Sequence, residues 1–207
     1  IPVRDGALAT TLGGLLARAP ISMVPIGLIA IGSGPLGSYA VGGAAAGAYS
    51  VSNAIGATLL GRAADERGHR WVLRLSALAL TLAAGAIVAI ALVAREASLL
   101  IAAAVVFGAA TPNMGALVRT RWTHVLHEAP LRLRAMSLES VNDEVNFLIG
   151  PPVASLLIVQ GLPWGPAVAA ALFFVAGAIA VARQRRWEPT LHCLLYTSDA
   201  ADEGLGV

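Results

Sequence analysis

Lysine is missing from this sequence. All 14 basic residues are arginine, and only 13% of the 207 residues are charged, against about 25% in an ordinary soluble domain. So little charge cannot coat a water-soluble surface. Cysteine is nearly missing too: Cys193 stands alone, which excludes an internal disulfide framework and a multi-cysteine metal site. The sequence shows no phosphate-cradling loop, no serine, histidine and acid arrangement and no metal-ligand spacing, so neither an enzyme nor a cofactor is expected. His124 and His127 flank an expected loop helix between apolar runs and read as solvated. The net charge of +2 and pI near 9.2 do not indicate a nucleic-acid partner, because the arginines sit between apolar runs and form no continuous basic stripe.

What the chain has is apolar length. Hydrophobic residues make up 57% of it and the mean hydropathy is +0.75. Apolar runs fall at about 8–33, 38–60, 71–94, 98–118, 137–160 and 164–183, each near the ~20 residues a helix needs to cross the hydrocarbon core. The expected fold is all-α: a polytopic membrane protein whose residues 1–187 form a bundle of six transmembrane helices. The first run is too long for a signal-peptide core and is followed by further spans, so it reads as a retained helix. The breaks around Pro35 and Pro163 are short and uncharged.

The remaining breaks set the orientation. Arg62, Arg67, Arg70 and Arg74 surround the second, Arg119, Arg121, Arg132 and Arg134 the fourth, and Arg183, Arg185 and Arg186 follow the sixth run. With Arg4 these lie on one side, against Arg95 alone on the other. The positive-inside rule then puts the N-terminus and the residues after 183 in the cytoplasm, with the chain in a cell's inner (plasma) membrane. Gly43 and Gly47 form a GxxxG pair in the second run, expected to let bundle helices pack closely. The arginine, alanine and glycine bias suggests a GC-rich, bacterial coding sequence.

The second break reads Gly61-Arg62-Ala63-Ala64-Asp65-Glu66-Arg67-Gly68-His69-Arg70. It resembles the loop between spans two and three of the major facilitator superfamily, which has a glycine, an aspartate four residues on, a second glycine three further and then basic residues. Gly61, Asp65, Gly68 and Arg70 match, while Glu66 and His69 stand where basic residues are common. Gly61 is expected to let helix two end against a neighbour, Gly68 to supply a tight turn, and Asp65 to cap the next helix or pair with an arginine. The resemblance covers about residues 8–187, with similarity to actinobacterial members. It implies the N-terminal six-helix half of a secondary transporter, with a C-terminal six-helix half as partner, and a conformational-switch role for the loop. It also implies a small-molecule substrate moved across the lipid bilayer by alternating access, with proton coupling left open. Efflux of drug-like or metabolite molecules is the first expectation. Uptake of a sugar or metabolite, or a six-span membrane interaction protein without transport activity, is the alternative. Many proton-coupled members carry an arginine in span four where this chain has Ala104 before Gly108, so that motif gives no support for proton antiport.

Polar groups inside the runs are the candidate cavity or coupling residues, because an ionisable group near a bilayer centre needs a partner or water. In span five Glu139, Asn142, Asp143 and Asn146 recur at helical spacing and continue to Gly150, with Glu144 beside them. Glu139 is expected at the interface near Arg132 or Arg134. Asp143 and Glu144 lie about two turns, roughly 10 Å, inside the expected helix start. Arg18, in span one, is expected to pair with Asp143 or Glu144; its alternative is to snorkel to the inner interface. In span four Asn113 follows Pro112, which frees a backbone carbonyl. Pro112, and Gly150 with Pro151, are expected helix bends, and the latter pair resembles part of an antiporter motif.

After Arg186 the composition changes. Residues 188–192 read as the start of a central cytoplasmic loop. From Cys193 to Glu203 the sequence resembles a translated sequencing adapter, so 193–207 is expected to be a non-native tail.

Overall fold

The computed structural model describes residues 2–189, with side chains from Gly6 onward. Among these the chain is helical with no strand, and its elements run α1 (Pro2–Leu16), α2 (Ala19–Ser33), α3 (Tyr39–Arg67), α4 (His69–Ala89), α5 (Ala97–Ala110), α6 (Met114–Val125), α7 (Ala129–Val159) and α8 (Gly165–Arg183). One π-helical turn, Ile90–Ala94, extends α4, and a 3₁₀ turn, Arg185–Trp187, follows α8. The pairs α1–α2 and α5–α6 are each separated by two or three residues, so the eight helices form six rods. Four of the rods, Gly6–Ser33, His69–Ala94, Ala97–Val125 and Gly165–Arg183, are long and apolar enough to cross a membrane. The other two, α3 and α7, have 29 and 31 residues and so exceed the spanning length, but glycine, serine and charged residues dilute their apolarity.

Local chemistry explains the rod ends. Ser38 caps α3, its Oγ accepting from the Val41 amide at 3.3 Å. Gly68, at φ +90°, ends α3 and turns directly into α4, the permissive turn expected of that position. Gly61 does something different from the expectation. α3 continues through it to Arg67, and a Cβ added there would meet nothing within 4 Å. Asp65 lies exposed in the last turns of α3 and caps nothing among the described residues.

The tight helix crossings use other glycines. A Cβ on Gly42 would strike the Ile29 backbone, one on Gly56 the Ala109 backbone, and one on Gly108 the Tyr49 carbonyl and Ser52 hydroxyl. These three positions hold α3 against α2 and α5, its two largest partners. Gly43 and Gly47, expected to be packed, instead face open space. The GxxxG face is offset by one residue from the face that packs.

Large apolar side chains cover the outside of the rods. Leu78 and Leu82 on α4 and Leu172 on α8 are each more than 60% exposed, an arrangement suited to lipid rather than water. Inside lie Met23, Leu28, Ile31, Leu80, Phe107 and Phe174, all essentially inaccessible.

Candidate functional site

The first rod breaks at Ala17–Arg18, where sequence periodicity gave no warning. Pro20, in the first turn of α2, has no N–H to carry a helical hydrogen bond across this point. The break turns Arg18 inward, where the residue is 2% exposed. Its Nη2 donates to Glu139 Oε2 at 2.5 Å and its Nε to Asp143 Oδ1 at 2.7 Å. Asp143 Oδ2 accepts from Arg119 Nη2 at 2.6 Å, and Glu139 Oε1 accepts from the Trp122 indole at 3.0 Å. Two arginines and two carboxylates thus form one charge-balanced network joining the first rod, α6 and α7.

Glu139 pairs with neither Arg132 nor Arg134. It is fully buried against Arg18 and Trp122, about 15 Å along α7 from the helix start at Ala129 at 1.5 Å per residue. Asp143 is deeper still, about 21 Å from the helix start, rather than two turns inside it. Glu144 is exposed and bonds to none of the described residues. Asn146, one turn beyond Asp143, is buried and accepts from Ser22 Oγ at 3.1 Å. Gly150 is where Ser22 approaches most closely, leaving no room for a side chain. The polar stripe of α7 is therefore packed on the first rod. α7 stays helical through Gly150, Pro151 and Pro152.

The fourth rod breaks at Thr111-Pro112-Asn113, as Pro112 requires. The carbonyls released there are used: Asn53 Nδ2, on α3, donates to Thr111 O at 2.9 Å and Gly108 O at 3.3 Å. Asn113 caps α6 by accepting from the Ala116 amide at 3.1 Å. Beside this break an open cleft of about 390 Å³ is lined by Asn53, Thr58, Gly61, Pro112 and Asn113.

Gly115, a buried glycine of α6, lies between Asn113, which lines the cleft, and the arginines of the charged network. The point its Cβ would occupy lies 3.4 Å from Asn113 Oδ1, 3.1 Å from Arg119 Nη1 and 3.4 Å from Arg18 Nη2. Glycine here lets the three groups approach one another closely. The Arg119 and Asp143 side chains are 37% and 38% exposed, so the network is dry at Arg18 and Glu139 and open at its other end. Arg18 Nη1 has no hydrogen-bond partner among the described residues.

Arg121 was grouped by sequence with exposed cytoplasmic arginines, yet it is fully buried. Its Nη1 donates to Val181 O at 2.8 Å and its Nε to His69 Nδ1 at 3.4 Å, tying α6 to α8 and to the turn after α3. Arg70 of the matched loop meets Glu188 through its amide, at 3.0 Å, and its guanidinium, at 4.0 Å. Trp122, next to Arg121 in the chain, is buried with it. Trp122 stacks edge-on against Trp187 at 5.1 Å. Among the described residues no group of histidine, cysteine and acidic side chains is placed to hold a metal.

Neither curated proteins nor solved structures yielded a match. The family model described as Major Facilitator Superfamily matches residues 7–191, nearly the whole chain, including both rod breaks, the charged network and the Gly61–Arg70 turn. This chain, a multi-pass helical membrane protein, belongs to the major facilitator superfamily, a family of membrane transporters.

Proposed function

We propose that the chain is the N-terminal six-helix half of a secondary transporter that moves a small molecule by alternating access, with efflux of drug-like or metabolite molecules as its direction and both bundle ends in the cytoplasm. The observation that carries this is the adjacency on α6 of the Asn53–Asn113 cleft and the half-exposed Asp143–Arg119 end of the Arg18 network, with only Gly115 between Asn113 and the arginines. A polar cleft that ends in half-exposed charges is where a polar or ionic substrate group loses its water at least cost. The open side of α3 at Gly43, Gly47 and Gly61 suits a second six-helix half closing over the cleft. Asp143 and Arg119 are the groups we assign to substrate or coupling-ion contact, Arg18 and Asn146 to holding α7 on the first rod, and the Gly61–Arg70 turn to conformational switching. Glu144 faces out of the network and is assigned to the wall against the second half.

Residues 193–207, which we read as adapter-derived, lie outside the described residues, and sequencing the gene through this region with independent primers tests that reading. The functional test is dye accumulation in efflux-deficient bacterial cells expressing the full-length gene. Lower ethidium accumulation on expression supports efflux, raised uptake of labelled sugars supports the permease reading, and no change in any solute across a broad panel would sink transport.

A further inference from the structure

The positive charge at the cytoplasmic end is unevenly distributed. Arg70 and Arg74, in the first two turns of α4, and Arg183 and Arg185, at the end of α8, surround a cleft of about 310 Å³ whose floor includes Leu73 and Ala178. Among the described residues no carboxylate lines it. Glu188 lies beside it, but engages only Arg70, and among the described residues Arg74, Arg183 and Arg185 form no ion pair. Arg70 Nε is buried without a hydrogen-bond partner among those residues. Besides the arginines the cleft is lined by Leu73 and Ala77 of α4 and by Ala178, Ile179 and Ala182 of α8, with Ile179 exposed.

We infer that this cleft is a binding site for an anionic phospholipid, with the headgroup phosphate among the four guanidinium groups and the acyl chains along the apolar lining from Leu73 and Ala77 to exposed Ile179. Arginine suits the role because its planar fork donates two hydrogen bonds to phosphate oxygens. Basic clefts between membrane helices on the cytoplasmic side meet the leaflet richest in anionic lipid. A soluble phosphate would use the guanidinium groups but leave the apolar flank bare. The combination of four cations with an apolar flank therefore favours the lipid. The site is separate from the Arg18 network; its cytoplasmic placement rests on the proposed orientation, and its test does not depend on transport activity.

Native mass spectrometry of the chain in detergent, with added phosphatidylglycerol or phosphatidylcholine, reads the outcome directly. Phosphatidylglycerol adducts should survive activation that strips phosphatidylcholine, and each arginine removed should weaken retention roughly fivefold. R74Q/R183Q/R185Q should lose the adduct, and R132Q/R134Q, away from the cleft, should keep it. Should the triple variant fold poorly, R74Q alone, at an exposed position, carries the same prediction at its smaller size. Equal retention of the two lipids overturns the inference, as does an unchanged adduct in R74Q or equal loss in the R132Q/R134Q control. Complete displacement by glycerol 1-phosphate at equal concentration would show a soluble-anion site and overturn the lipid assignment.

Discussion

Arg18 and Asp143 lie 125 positions apart in the chain and meet through a 2.7 Å hydrogen bond between Nε and Oδ1. The contact closes the bundle's interior: the first rod supplies the cation at its break, and α7 supplies Asp143 and, one turn earlier, Glu139. A pair of this kind is expensive to break from one side, because the abandoned partner remains buried.

The first prediction follows from that asymmetry. Glu139→Leu strands part of Arg18 in an apolar setting and should lower unfolding free energy by about 3 kcal/mol, the lower end of the range for one-sided loss because Asp143 still holds the guanidinium. Arg18→Met combined with Glu139→Leu should lose less than the sum of the two single changes. Chemical denaturation in mixed detergent micelles measures all three. Additive losses would mean that the two residues are not coupled.

Asn53 and Pro112 provide a second pair. Removing the Asn53 amide leaves the Thr111 and Gly108 carbonyls without their side-chain donor, so Asn53→Ala should cost about 1–3 kcal/mol. Pro112→Ala in that background restores an N–H four residues after Gly108 and should recover part of the loss by letting the fourth rod close into a continuous helix. The same denaturation experiment checks it. A further loss on adding Pro112→Ala would show that the break is held by something other than the missing amide.

Orientation is tested by labelling. In a Cys193→Ser background, Arg74→Cys should react with a membrane-impermeant maleimide only after the cells are opened, and Arg95→Cys should react in intact cells. Arg95 sits alone in a left-handed turn at φ +47° between the π turn and α5, at the opposite end of α4 from Arg74. Reversed labelling would invert the bundle.

Much of the architecture was legible in the sequence, for a physical reason. A membrane rod must be about 20 residues of mainly apolar chain, so apolar length alone locates rods, and the turn at Gly68 follows from glycine's tolerance of positive φ. The pairing of Arg18 with a carboxylate on α7 was legible in the same way, since a cation inside a span needs a partner. Which face of each rod is covered was much harder to read. Lipid and protein interior are both apolar, so hydropathy does not distinguish the packed Gly42 and Gly56 from the open Gly43 and Gly47. For the same reason the burial of Glu139 and of Arg121 is not legible in the sequence: it depends on Trp122, His69 and the Val181 carbonyl, contributed by other segments. α7 begins at Ala129, eight residues before the apolar run, because hydropathy marks only the apolar part of a helix and Arg132 and Arg134 are accommodated in a polar first turn or two.

The measurement that tests the central claim most directly is the initial rate of substrate transport by the full-length protein in liposomes, parent against Asp143→Asn, with thermal unfolding followed in parallel. Asparagine keeps the size and a hydrogen-bond acceptor for Arg18 but removes the charge shared with Arg119. The expected result is a rate at least about tenfold lower, a barrier increase of about 1.4 kcal/mol, with Asp143→Glu retaining part of it and both variants unfolding within a few degrees of the parent. A folded Asp143→Asn protein transporting at the parent rate would contradict a working role for the network and leave it a structural clasp.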